Sequence, residues 1–164
     1  MTIRFGILTL SDRSAIGERA DASGPALADI IRDQGWSVTK QAILPDDESA
    51  IRAALIEWAD SGAVDVILTS GGTGFAPRDI TPEATRAIIE REAPGLAETM
   101  RAESLKKTPH AMLSRAVAGI RKRTLIINLP GSPKGAVENL QTILPVLPHA
   151  VQLLTDDPNS EVSH

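Results

Sequence analysis

Val64-Asp65-Val66-Ile67-Leu68-Thr69-Ser70-Gly71-Gly72-Thr73-Gly74 is the stretch on which the fold turns. Val64 to Thr69 is short, rich in β-branched residues and mostly apolar, the pattern of a strand buried on both faces. It runs straight into Ser70-Gly71-Gly72-Thr73-Gly74, where glycine lets the backbone turn tightly and offer N–H groups to an anion. At Thr81-Pro82-Glu83 comes a helix-start signature, with Thr as cap and Pro in the first turn. Strand, glycine loop and helix follow in order.

The same unit recurs on either side. Ile3 to Leu10 is a β-branched apolar run that ends at Ser11-Asp12-Arg13. Gly24-Pro25 opens a helix whose inward stripe is Leu27, Ile30 and Ile31, and Gly35 stops it. Trp36 to Leu44 is a second strand, ending at Pro45-Asp46-Asp47. A helix from Glu48 carries Ile51, Ala54, Leu55 and Trp58 at helical spacing and stops at Gly62. After the glycine loop, the helix from Thr81 breaks at Pro94-Gly95, and another runs to Leu105. Ala116 to Ile120 and Thr124 to Leu129 are separated only by Arg121-Lys122-Arg123, too short a link for a parallel crossover, so they form an antiparallel pair. Beyond Pro130-Gly131-Ser132-Pro133-Lys134-Gly135, a helix on Val137, Leu140, Ile143 and Leu144 is interrupted by Pro145 and Pro148 and resumes to Leu154.

Alternating strands and helices predict an α/β fold, a three-layer α/β/α sandwich with a mostly parallel, mixed central sheet. The chain of 164 residues fits one domain over 1–155, with a polar, flexible tail over 156–164. At 42% hydrophobic and only 2% aromatic residues, the core must be aliphatic, and platforms for stacking single-stranded nucleic acid are scarce. A net charge of −4 argues against nucleic-acid partners, leaving Arg121-Lys122-Arg123 as a hairpin tip or solvated face. The absence of cysteine removes disulfide and thiolate chemistry, and His110, His149 and His164 have no metal-ligand spacing. No apolar stretch approaches the roughly 18 residues of a membrane span. The start, from Met1 to Gly6, enters a strand without a signal-like region, so the expected location is cytoplasmic.

In an open α/β sheet, ligands bind beyond the carboxyl ends of the strands. The loops there are Ser11-Asp12-Arg13, Pro45-Asp46-Asp47, Gly71 through Asp79, and Pro130 through Lys134. The glycine loop suits a phosphate, near the positive end of the helix at Thr81. It is not a Walker loop, and Pro77 stands where a dinucleotide fingerprint needs its third glycine. Asp79 reads either as a carboxylate that shares a magnesium ion with a phosphate or as a helix-start charge. Asp46 carries the same two readings, while Asp47 could cap the following helix. Lys134 reads as a phosphate contact or a solvated lysine. Ser114 and Arg115 stay open.

Gly71-Gly72-Thr73-Gly74-Phe75-Ala76-Pro77-Arg78-Asp79-Ile80-Thr81-Pro82-Glu83-Ala84-Thr85 resembles the signature of the molybdopterin adenylyltransferase family, which includes the G domain of gephyrin and its plant counterpart. Leu125 through Gly135, Met112-Leu113-Ser114-Arg115 and Ser11-Asp12-Arg13 are similar to it as well, and the likeness runs from Ile3 to Leu154. The resemblance implies transfer of AMP from MgATP to the terminal phosphate of molybdopterin, giving adenylyl-molybdopterin and pyrophosphate. It implies Asp46 and Asp79 as catalytic and Mg²⁺-binding acids, and Gly71, Gly72, Thr73 and Gly74 as nucleotide-phosphate contacts. Ser11 and Asp12 join the substrate site, and Ser114, Asn128, Pro130, Gly131, Ser132 and Lys134 serve the pterin and its phosphate. A homotrimer and hand-over to a molybdate-inserting protein follow from the same likeness. Rival readings are a molybdopterin binder without turnover, a scaffold, and an enzyme acting on other nucleotides.

Overall fold

The computed structural model describes residues 1–157. Its strands are β1 (Arg4–Leu10), β2 (Ser37–Leu44), β3 (Val66–Ser70), β4 (Arg91–Glu92), β5 (Ala118–Arg121) and β6 (Thr124–Leu129). Its α-helices are α1 (Asp12–Ala15), α2 (Ser23–Asp33), α3 (Glu48–Asp60), α4 (Thr81–Ile88), α5 (Pro94–Leu105), α6 (Pro133–Ile143) and α7 (Leu147–Leu154). One sheet in the order β2-β1-β3-β6-β5-β4 holds all of these strands. Pairing is parallel from β2 across to β6 and antiparallel at β5 and β4. The expected mixed α/β sheet is what forms.

Side-chain alternation along each strand divides the apolar residues between two cores. Phe5 and Ile7 of β1, Val66 and Leu68 of β3, and Leu125, Ile127 and Leu129 of β6 pack with Leu27, Met100, Leu140 and Val151 from α2, α5, α6 and α7. Leu8 and Leu10, Ile67 and Ile126 point the other way, onto Ile51, Leu55, Trp58, Ala84 and Ile88 of α3 and α4. Removing one fully buried aliphatic side chain from water contributes about 1.5–3 kcal/mol, so both faces are strongly specified. Phe5 also stacks on Trp36, with ring centroids 5.6 Å apart.

The order β2-β1-β3 creates a switch point. From β1 the chain crosses through α2 to β2 on one side, and from β2 it crosses through α3 to β3 on the other. The loops after β1 and β3 therefore part above a crevice between neighbouring strands, which is where such sheets bind ligands.

Some expectations need revision at the level of single residues. Thr81 is not the cap of α4: Ile80 occupies that position without a side-chain bond. The Thr81 hydroxyl instead donates to the Gly71 carbonyl at 2.9 Å, stapling the helix to the glycine loop. Helix α4 ends at Ile88, short of the break expected at Pro94-Gly95, and the two-residue strand β4 occupies part of the stretch where helix was expected; a 3-10 turn at Pro109–Leu113 lies where no strand or helix was expected. Lys122, at the β5–β6 tip, sits at φ 52. Asp47 does cap α3, accepting from the Ala50 amide at 3.0 Å. Of the expected tail, 158–164 lie outside the described residues; Asp156 pairs with Arg123 at 3.4 Å.

Asn128 on β6 is fully buried. Its Nδ2 donates to the hydroxyls of Thr69 and Thr85 at 2.9 Å each, and its Oδ1 accepts from the Val117 amide at 3.1 Å. These bonds tie β3, α4 and the approach to β5 together beneath the loops. Asn128→Ala should therefore lower stability by about 1–3 kcal/mol, because the Val117 amide is left buried without an acceptor. Thermal denaturation checks this; an unchanged midpoint with weakened substrate binding would instead make Asn128 a ligand contact.

Candidate active site

Two loops meet first at the ends of β1 and β2. The Ser11 amide donates to the Leu44 carbonyl at 3.0 Å. The Ser11 hydroxyl caps the short α1 by accepting from the Ser14 amide at 3.2 Å. One residue on, Asp12 and Asp46 clasp each other: the Asp12 amide donates to Asp46 Oδ2 at 3.2 Å, and the Asp46 amide donates to Asp12 Oδ1 at 3.0 Å. Arg78 closes the clasp with a two-pronged bond, Nε to Asp12 Oδ2 at 2.5 Å and Nη2 to Asp12 Oδ1 at 2.8 Å. The same Nη2 reaches the Asp46 carbonyl at 3.2 Å. Arg78 holds the Asp12 carboxyl below its ordinary range, helped by the Asp46 amide. Asp12 is thus a brace for Asp46, with its own charge already matched.

Asp46 is left in the opposite state. Its Oδ1 is buried and has no hydrogen-bond partner among the described residues. Burial raises its affinity for a proton, with Asp12 and Asp79 adding to the effect and the Asp12 amide and Arg78 opposing it. An unpartnered buried carboxylate oxygen is costly unless a cation or donor meets it.

The glycine loop brings the second acid. Gly71 and Gly72 have φ of 110 and 68, backbone that side chains rarely adopt. A Cβ on Gly71 would collide with the Leu10 carbonyl, and one on Gly72 would crowd Thr81 and stand 3.1 Å from Asp46 Oδ1. From there the loop runs to Asp79, whose Oδ2 accepts from the Ala76 amide at 2.9 Å. Arg115 fixes the loop from outside. Its amide donates to the Thr73 carbonyl at 2.8 Å, its Nε to Gly74 O at 2.8 Å and its Nη2 to Asp79 O at 2.7 Å. The remaining prong pairs with Glu83 at 2.7 Å. The amides of Gly72, Thr73 and Gly74 donate to nothing among the described residues, which leaves three donors for an anion.

Two clefts flank this loop. The first, about 370 Å³, is bordered by Ser11, Asp46, Gly71, Gly72 and Asp79, with Gly131 and Ser132 opposite. The second, about 310 Å³, is bordered by Thr73, Gly74, Ser114, Pro130 and Ser132, with Arg101, Lys107 and His110 farther along. The loop from Pro130 to Ser132 borders both. So most of the residues expected from the sequence come together. Asn128 lies beneath the site, Asp12 behind Asp46, and Lys134 is exposed in the first turn of α6 and borders neither cleft.

Sequence reasoning missed Asp21, Ser70 and the role of Arg115. Asp21 Oδ1 accepts from the Ser23 and Gly24 amides, both at 3.1 Å, and Oδ2 accepts from the Thr9 hydroxyl at 2.8 Å. An acid two residues before a Ser-Gly-Pro helix start was the available signal for that cap. Ser70 Oγ reaches Pro130 O at 2.8 Å and Ser23 Oγ at 3.0 Å, bridging three loops.

The donor set fits Mg²⁺. Asp46 and Asp79 both border one cleft and offer carboxylate oxygens, the hard donors that Mg²⁺ prefers, and Asp46 Oδ1 has no hydrogen-bond partner among the described residues. No group of three or more His, Cys, Asp or Glu able to hold a metal occurs among the described residues.

An open mixed α/β sheet with acids and a glycine loop at its switch point defines an α/β domain with a candidate ligand site at the carboxyl ends of its strands. Residues 6–149 match the family described as "Probable molybdopterin binding domain", and the chain belongs to that family. The molybdenum cofactor synthesis protein cinnamon of Drosophila melanogaster is 47% identical over 95% of this chain, which spans only 26% of cinnamon's length. The molybdopterin adenylyltransferase of Helicobacter pylori is 42% identical over 93% of this chain and 88% of its own length. In solved structures, the molybdopterin biosynthesis enzyme MoaB of Thermus thermophilus is 54% identical with a TM-score of 0.90, over 96% of this chain and 99% of that one.

The state of Asp46 has a measurable consequence. Because its folded pKa is raised, the folded chain keeps the proton to higher pH than the unfolded chain does. Stability therefore falls as pH rises from the ordinary carboxyl value through the raised one, and stays reduced above it. Asp46→Asn removes that ionisation while an amide oxygen can still accept from Asp12. In chelator-treated protein its thermal midpoint should exceed the wild type's at about pH 7–8, and the gap should close toward about pH 4. A gap independent of pH would contradict the assignment.

Proposed function

We propose that this chain is a molybdopterin adenylyltransferase. It transfers AMP from MgATP to the terminal phosphate of molybdopterin, giving adenylyl-molybdopterin and pyrophosphate in molybdenum cofactor biosynthesis. The observation that carries this reading is the pairing of Asp46 Oδ1, buried and unpartnered, with Asp79 on the wall of one cleft, beside three unengaged loop amides. The name of the Helicobacter pylori relative, matched over 88% of its length, supports it. As part of the same reading, the chain works as a cytoplasmic homotrimer and hands its product to a molybdate-inserting protein. No helix among the described residues is long and apolar enough to cross a membrane.

No covalent enzyme intermediate is required. An oxygen of the molybdopterin phosphate attacks the α-phosphorus of ATP in line, the bond from that phosphorus to the oxygen bridging the β-phosphate breaks, and pyrophosphate leaves with the electron pair. Asp46 and Asp79 would hold a magnesium ion, which would supply charge neutralisation to the α-phosphoryl group. The chain supplies the rest. Amides of Gly72, Thr73 and Gly74, unengaged among the described residues, would donate to non-bridging oxygens, where preorganised donors are most effective. Arg78 and Asp12 hold Asp46, and Arg115 holds the loop that carries Asp79, so the acids need little rearrangement at the moment of reaction.

Mass spectrometry of a mixture of purified protein, molybdopterin, ATP and Mg²⁺ should show adenylyl-molybdopterin. Asp79→Ala should lower turnover by roughly 100-fold or more. Full turnover by Asp79→Ala at saturating magnesium would remove that acid from the mechanism. Binding of molybdopterin without product by the wild type would make the chain a carrier.

A further inference from the structure

The electrostatics of the first cleft point to a residue for which neither the motifs nor the relatives speak. Asp46, Asp79 and Asp21 border this cleft, and among its bordering residues Arg19 is the single basic side chain. Asp21 is engaged in capping α2, so the acids facing an incoming ligand are Asp46 and Asp79. A polyphosphate entering here meets two carboxylates. One divalent cation offsets those two acids but leaves the phosphates' own charge unmatched.

Apart from the loop amides of Gly72 to Gly74, which are neutral donors, the anion-binding devices at the cleft edge are already engaged. The amides of Ser23 and Gly24 at the start of α2 donate to Asp21. The Gly135 amide at the start of α6 donates to Ser132 Oγ at 3.1 Å. Arg78 is taken by Asp12. In the second cleft the cations are partly committed as well, Arg101 to the Ala116 carbonyl at 2.9 Å and Lys107 to Glu138 at 3.4 Å. Arg19 differs from all of these. It is exposed and makes no hydrogen bond or ion pair among the described residues, while its neighbour Glu18 pairs with Arg13 at 3.9 Å. Its backbone is nevertheless tethered on both sides, by the Glu18 amide bonded to the Arg13 carbonyl at 2.9 Å and by the capping acid Asp21. A fixed backbone with a free guanidinium suits a two-pronged grip on phosphate oxygens.

We infer that Arg19 is the phosphate-binding residue of the first cleft, taking the β- and γ-phosphates of the nucleotide and neutralising pyrophosphate as it departs. This rests on the adenylyl-transfer reading for the identity of the ligand. As the bond between the α-phosphorus and the bridging oxygen breaks, its electron pair becomes charge on pyrophosphate, and Arg19 meets that charge. The shared chemistry is a phosphate group, and the terminal phosphate of molybdopterin is the other possible source.

Titrations of inorganic pyrophosphate, AMP and molybdopterin into the wild type, Arg19→Ala and Arg19→Lys, each with Mg²⁺, separate these cases. Arg19→Ala should weaken pyrophosphate binding roughly 10-fold or more, with Arg19→Lys in between, while AMP and molybdopterin binding stay within about twofold. In turnover, the KM for ATP should rise and that for molybdopterin should not. Pyrophosphate binding that is unchanged in Arg19→Ala, or absent in the wild type, would overturn the inference. Weakened molybdopterin binding with intact pyrophosphate binding would overturn the nucleotide assignment in favour of the pterin phosphate. If pyrophosphate binding depends on Arg19 but no adenylyl-molybdopterin forms, the residue's role stands and the adenylyl-transfer reading falls.

Discussion

Gly71 lies against the Leu10 carbonyl so closely that no side chain fits, and its φ of 110 is one that glycine alone adopts readily. That contact joins the ends of β1 and β3 at the point where their loops must part. From it the rest of the site follows in sequence. The Gly71 amide donates to the Leu129 carbonyl at 3.1 Å, which brings β6 and its Pro130–Ser132 loop to the same edge. Thr81 then bonds the Gly71 carbonyl and, through its amide, the Gly72 carbonyl at 3.1 Å. With both ends of the loop held, Gly72 to Asp79 can only arch over the crevice. There Asp79 borders the cleft that Asp46 enters from β2.

The electrostatics make the same site expensive to hold without a ligand. Asp12 and Asp79 both add to the raised proton affinity of Asp46 at the loop ends. Arg78 neutralises Asp12 and leaves the other two acids exposed to a cation. Arg115, by contrast, spends its charge on Glu83 and its remaining donors on loop carbonyls, so it stiffens the loop without cancelling Asp79. Strain and unmatched charge of this kind tend to collect where function requires them. Burial of Asp46 is the clearest case: the chain forgoes stability there, as the metal-holding role proposed for it would require.

Much of this was legible from the chain alone. Uninterrupted apolar runs ending in glycine, proline and acids mark buried parallel strands and the loops after them, so the sheet, Asp46, Asp79 and the glycine loop could be placed by local pattern. What escaped has a common cause. Arg115 acts on partners 32 to 41 positions away, and no local periodicity reports a side chain that reaches so far. Strand β4 is two residues long and exists only because β5 pairs with it. Thr81 looked like a cap because its spacing before Pro82 suits one, yet the nearby Gly71 carbonyl is a better partner for its hydroxyl. Asn128 sits within a motif that resembles a pterin-site loop, but strand alternation turns its side chain inward, onto α4.

The central claim is that Asp46 and Asp79 together seat the metal-bound phosphates of the nucleotide against the glycine loop. A crystal structure of the chain with magnesium and an ATP analogue carrying a methylene bridge between the α- and β-phosphates tests it most directly. The account predicts a cation bound to Asp46 Oδ1 and to Asp79, with α-phosphate oxygens accepting from the amides of Gly72 to Gly74. A nucleotide bound with its phosphates away from both acids, or a cation that touches neither, would contradict it.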